Sequence, residues 1–191
     1  MKVAREFRQD ELVGPAADQA AGEAWRRLER AADDPSDRLR LFTLCTVTPE
    51  GKAAGRLMLL RGADRMSARL WCHAKRHSAK VSELRANSSF AVVAYDPVDS
   101  IQLRVSGTAR VHELDATAAR HFEQSALAKQ SGQMPQTAVP DAVWPDEAEF
   151  LIDATKRKSW KEFVVIELLV EAMEWTQVVG NGVTHALMKL R

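Results

Sequence analysis

The chain has 191 residues, 46% of them hydrophobic and 28% charged, and a chain of this length can bury about 70% of the surface its unfolded form exposes. Its 27 Lys and Arg against 26 Asp and Glu leave a formal charge of +1, which supplies no field for gathering nucleic acid or an anionic membrane. Nine glycines and seven prolines are too few for a low-complexity chain, so an ordered globule is expected.

Residues 1–14 are polar and aperiodic and read as a flexible lead-in to one domain over 15–191. The opening has no apolar signal segment and no stretch approaches the ~18 apolar residues of a membrane span, so a cytoplasmic protein is expected. A helix is predicted from Pro15 to Asp33, with proline in its first turn and Ala20, Ala24 and Leu28 on one face. Leu39 to Val47 reads as a strand, Pro49-Glu50-Gly51-Lys52 as a turn, and Arg56 to Arg61 as the returning strand. Ala68 to His73 makes a third strand, and Ser78 to Ala86 a short helix with Val81 and Leu84 on one face. Two more strands, Phe90 to Tyr95 and Ile101 to His112, are separated by Asp96-Pro97, which breaks the ladder.

Asp115 to about Lys129 is helical again, and Gly132 to Pro145 reads as a long loop. Phe163 to Leu169, Met173 to Val179 and Val183 to Leu190 complete the chain as three strands, the last two joined by Gly180-Asn181-Gly182. Many short strands and few helices predict a mainly β protein, an antiparallel barrel with flanking helices that removes its own edges. Cys45 and Cys72 lie in apolar, strand-like surroundings and are expected as core thiols. Trp71, Trp144 and Trp160 read as packing residues, and Lys156-Arg157-Lys158 as a solvated face.

No Walker loop, Rossmann glycine fingerprint, HExxH or nucleophile elbow is present. The five histidines lack metal-ligand spacing, so no metal site is expected. What remains is a pattern of cations: Arg56 and Arg61 bracket one strand, and Ser78-Ala79-Lys80 opens a helix. A helix N-terminus offers free N–H groups and partial positive charge, so Ser78 and Lys80, with an arginine from the neighbouring strand, suit a phosphate monoester. A plain N-cap and a solvated lysine fit the same residues, and at this level both readings stand.

The order of these pieces resembles the pyridoxamine 5′-phosphate oxidase-like FMN-binding split β-barrel family. Arg-x-x-Leu-Leu-Arg at 56–61, a strand ending in His73, Ser78-x-Lys80 with Leu84 and Asn87 downstream, and Gln102-Leu103-Arg104-Val105-Ser106-Gly107 follow one another as they do there. The likeness runs from about Leu39 to Val111, with a fainter echo at Trp175 to Leu187. It implies a homodimer holding FMN in a cleft between subunits, with Arg56 and Lys80 on the phosphate. Arg61 falls where the family places a cation near the flavin or its substrate. The backbone of Leu57, Met58 and Leu59 would run along the isoalloxazine ring, and Gln102 would reach the flavin from the partner subunit. By the same resemblance Ser78, Gln130, Ser131, Trp175, His73 and His185 join the cofactor contacts.

Several positions depart from the family pattern. His73-Ala74 replaces Tyr-Thr, Ala79 replaces an arginine, and His185 replaces an arginine that follows the tryptophan. Residues 120–124 lack the Tyr, Arg and Ser set that clamps substrate phosphate, so pyridoxamine phosphate is not the expected substrate. The reading is an FMN-dependent oxidoreductase acting on a small molecule, with the flavin carrying the redox chemistry and no side chain identified as catalytic. A non-catalytic binding or sensing barrel and a relative holding deazaflavin or haem in the same cleft are the alternatives.

Overall fold

The computed structural model describes residues 8–11, 14–130 and 159–189. The first helix, α1 (Pro15–Asp33), starts with proline at its first turn and buries Ala20, Ala24, Trp25, Leu28 and Ala31, the stripe its spacing predicts. A 3-10 turn over Arg38–Arg40 then leads into the sheet.

Nine strands follow the chain: β1 (Arg8–Glu11), β2 (Leu41–Val47), β3 (Ala53–Leu59), β4 (Gly62–Asp64), β5 (Arg69–Lys75), β6 (Ser89–Asp96), β7 (Ile101–Glu113), β8 (Phe163–Val179) and β9 (Gly182–Lys189). Two further helices are α2 (Ala79–Ala86) and α3 (Ala116–Gln130). The order β1-β9-β8-β7-β6-β2-β3 is antiparallel except for the parallel pair β1 and β9. Strand β5 joins the N-terminal half of β8, and β4 joins β5. A bond from the Arg61 N–H to the Trp71 carbonyl at 2.8 Å brings the end of β3 to β5 and closes the barrel. No described helix is long and apolar enough to cross a membrane.

Alternation along each strand decides what fills the barrel. Phe42, Leu44, Met58, Leu70, Cys72, Val92, Leu103, Val105, Ile166, Leu168 and Met173 point inward and are nearly devoid of solvent contact. Outside, α3 covers one region of the sheet, where Ala118, Phe163 and Val165 pack with Trp71, Phe122 and Trp160. On β2, β3, β6 and β7 several outward side chains are half-buried, among them Thr43, Cys45, Leu57, Ala91, Val93 and Ser106, while Tyr95, Gln102 and Arg104 on the same side are exposed.

Several expectations need correction. Residues 8–11, read as part of a flexible lead-in, form a strand on β9. The two strands expected at 163–169 and 173–179 are one strand, β8, with a bulge where Ser106 faces Ala172 but Gly107 faces Val170. The extra residue lets a long strand bend from one side of the barrel to the other. Strand β3 ends at Leu59, so Arg61 lies in the connection to β4 and does not bracket the strand. Cys45 faces outward and is half-buried, whereas Cys72 is a core thiol. The predicted loop at 132–145, Trp144 and the basic run at 156–158 lie outside the described residues.

Candidate functional site

The second helix is short, held to the barrel by buried Val81 and Leu84 one turn apart. Ser78 occupies its N-cap position, but its hydroxyl donates to the Lys75 carbonyl at 2.8 Å and makes no side-chain cap. The helical bonds begin with the Val81 N–H on the Ser78 carbonyl at 3.0 Å. The amides of Ala79 and Lys80 therefore precede the ladder at the positive end of the helix.

Lys80 is only 6% exposed. Its carbon stem is packed away while the ammonium keeps contact with solvent, and among the described residues no carboxylate lies within ion-pair distance of it. Three positions on, Glu83 shares its face of α2 and is equally buried at 6%. Glu83 Oε2 accepts from Arg56 Nη2 at 2.7 Å and from the Thr46 hydroxyl, which in turn accepts from Arg56 Nη1. Arg56 sits on β3 opposite Leu44, on the inward side. Hydrogen bonds thus join Arg56, Thr46 and Glu83 at one corner of the barrel, and Glu83 belongs to the same short helix as Lys80 and the N-cap residue Ser78. A lysine with no carboxylate partner among the described residues, a helix start and a guanidinium with N–H groups to spare make a donor set that fits a phosphate.

The other predicted site residues fall in different places. Leu57 and Leu59 are half-buried on the outward side of β3, while Met58 is a core residue that offers only its backbone to that side. Arg61 is half-buried after β3 and is engaged with other groups. His73 faces outward on β5 beneath α3, with Nε2 3.3 Å from His121 Nδ1 and its ring against Phe163. Burial, reinforced by the charges of Arg120 and His112, holds the His121 imidazole below its ordinary pKa.

Gln102 and His185 lie in one cross-strand row on either side of Thr176. Their strands lie well away from the corner: Gln102 is three strands and roughly 15 Å from Arg56, and it faces outward. Trp175, expected to touch the cofactor, is a core residue 5% exposed, with the Arg27 guanidinium 5.8 Å above its ring. Period two turns it to the opposite side from Thr176, and so away from Gln102 and His185. Gln130 ends α3, and Ser131 lies outside the described residues.

Thr46 and Glu83 were missed from the sequence. Glu83 had one available signal, its position three residues after Lys80 on a helix; Thr46 had none, because it reaches the corner from another strand.

Fold and corner together define a class: a split antiparallel β-barrel with an anion-suited corner at its mouth. The family model for pyridoxamine 5′-phosphate oxidase matches residues 28–161, and the chain belongs to that family. A pyridoxine/pyridoxamine 5′-phosphate oxidase from Microcystis aeruginosa is 37% identical over 81 residues, 42% of this chain and 37% of the relative, so the match spans little more than a third of that protein. Among solved structures, a pyridoxamine 5′-phosphate oxidase-related FMN-binding protein from Nostoc punctiforme aligns with TM-score 0.59 and 18% identity, covering 94% of this chain and 92% of that one. A haem-binding protein from Mycobacterium smegmatis aligns with TM-score 0.53 and 18% identity, covering 93% of this chain and 60% of that one. At such identities the likeness establishes the split barrel.

Proposed function

We propose that this chain is an FMN-dependent oxidoreductase that acts on a small molecule and holds its cofactor between two copies of itself. The observation that carries the reading is Lys80, without a carboxylate partner among the described residues at the start of α2, the helix whose Glu83 binds Arg56. Lys80, the first amides of α2 and the remaining N–H groups of Arg56 would hold the phosphate. The backbone of β3 from Leu57 to Leu59 would flank the ring, with the buried Met58 side chain stiffening the strand behind it. When bound, FMN supplies hydride or single-electron transfer.

The separation of Gln102 and His185 from the corner supports a shared site, because residues too far apart to meet within one subunit can meet across a two-fold axis. The family departures at Ala74 and Ala79 remove a hydroxyl and a cation from the cofactor's surroundings, leaving Lys80 as the main phosphate ligand. Titration with FMN, followed by quenching of flavin fluorescence, tests this directly. The wild type is expected to bind and Lys80→Met to bind at least about tenfold more weakly, the loss of one charge-assisted bond. Equal affinities would place the phosphate elsewhere, and a wild type that leaves the fluorescence unchanged would remove the FMN reading.

A second reading, haem binding, draws on the His73–His121 pair and on the similar fold of the M. smegmatis protein. The visible spectrum of the purified protein separates the two, since flavin gives yellow bands and haem an intense Soret band. Oxidation of a reduced nicotinamide by the FMN-loaded protein separates an enzyme from a binding module.

A further inference from the structure

The corner described above is close to electrically balanced before any ligand enters. Arg56 is matched by Glu83 at 2.7 Å, inside the barrel mouth where both side chains are largely out of solvent. His77 lies 3.6 Å from the Glu162 carboxylate, and Lys75 has an interaction of its own. Arg76 and Arg85 share the single carboxylate of Glu113, but both stand well in solvent, where water screens the charge left over. Position 79 is alanine. The two hydroxyls are also committed: Thr46 donates to Glu83, and Ser78 donates to the Lys75 carbonyl. Among the described residues Lys80 therefore supplies the corner's positive charge that has no carboxylate set against it, on a side chain mostly packed away from solvent.

We propose, on the footing that a phosphate binds here, that the corner is built for a singly charged phosphate and that Glu83 sets this preference. A phosphodiester enters as it is; FMN enters with its phosphomonoester carrying one proton, taken up from solvent when the free ligand is a dianion. The physical reason is that buried charge is costly unless it is neutralised within the site. Arg56, Glu83 and Lys80 sum to a single positive charge, which a monoanion cancels. A dianion would leave an uncompensated negative charge beside the Glu83 carboxylate, in surroundings that screen poorly.

The test compares three probes by flavin fluorescence quenching: riboflavin, FMN, and riboflavin 5′-(methyl phosphate), a phosphodiester that stays singly charged. At pH 8 the FMN phosphate, with a second pKa of about 6, is a dianion. The wild type is then expected to bind the methyl ester about tenfold more tightly than FMN, and the gap to close at pH 5.5. In Glu83→Gln, which frees the Arg56 charge while keeping its shape, the order at pH 8 reverses in favour of FMN. Wild-type FMN binding at pH 8 as tight as the ester or tighter, or a ratio unchanged in Glu83→Gln, overturns the proposal. If riboflavin binds as well as both phosphates, the phosphate site itself is wrong and this inference falls with it. Should Glu83→Gln fail to fold, the wild-type ratio and its pH dependence decide the matter alone.

Discussion

Asp115 is one side chain with two structural tasks. Its Oδ1 accepts the Ala118 N–H at 2.8 Å, capping α3, while Oδ2 meets His112 Nδ1 at 2.8 Å. His112 continues to Glu167 at 3.3 Å, and Glu167 to Arg69 at 3.0 Å, so the start of α3 is tied to the wall of the barrel. Partial burial pushes the Asp115 carboxyl up, but the hydrogen bonds from Ala118 and His112 outweigh it and hold the carboxyl below its ordinary value. A carboxyl depressed by folding contributes stability above its unfolded pKa, about 3.9, and the contribution fades as pH falls through the lower folded value. Asp115→Ala should therefore cost about 1 kcal/mol at pH 6, with the difference from wild type shrinking below pH 3. Urea denaturation at the two pH values measures it, and a pH-independent difference would show that the cap is not the cause. At this scale Arg56, Ser78 and Lys80 could be singled out from the sequence as anion-binding candidates, because motif spacing is local. Glu83 and Thr46 stayed hidden because their meaning is a contact with Arg56 across elements.

The length of α1 and the positions of most strands followed from hydrophobic period and turn residues. The expected break within β8 did not, since Val170-Glu171-Ala172 reads as an interruption, whereas the structure absorbs one extra residue as a bulge. Gly107 makes this possible. A Cβ there would lie 2.0 Å from the Leu169 carbonyl oxygen and 3.0 Å from the Glu171 nitrogen, both backbone atoms that cannot step aside. Gly107→Ala is expected to cost about 3 kcal/mol or more. Gly55→Ala, whose added carbon would meet Thr43 and Cys45 at 3.6 and 3.8 Å, is expected to change stability by less than about 1 kcal/mol. Chemical denaturation of the two variants checks the contrast, and similar losses would mean that the bulge tolerates a side chain.

For the whole molecule, the outward side of β2, β3 and β6 presents half-buried residues such as Thr43, Cys45, Leu57, Ala91 and Val93, while Gln102 and His185 lie on the same outward side of the sheet farther from the corner. If two copies pair through this side, one supplies the phosphate corner and the other the polar row. The protein should then sediment at twice the 21.3 kDa of the chain. Ala91→Arg, a long cation in the middle of that side, should yield monomers that have also lost FMN affinity by more than about tenfold. A wild type that sediments as a monomer and still binds FMN would refute the shared site. What the sequence determined by itself was whatever depends on neighbours along the chain: a β-rich barrel, helix α1, the short helix α2, and the succession of motifs that marks the family. Tertiary structure alone decided that Trp175 turns inward, that residues 8–11 join β9, and that Arg56 is already matched by Glu83. Those outcomes depend on which face of one strand meets which face of another, and pairings between distant segments leave no periodic signature in a single chain.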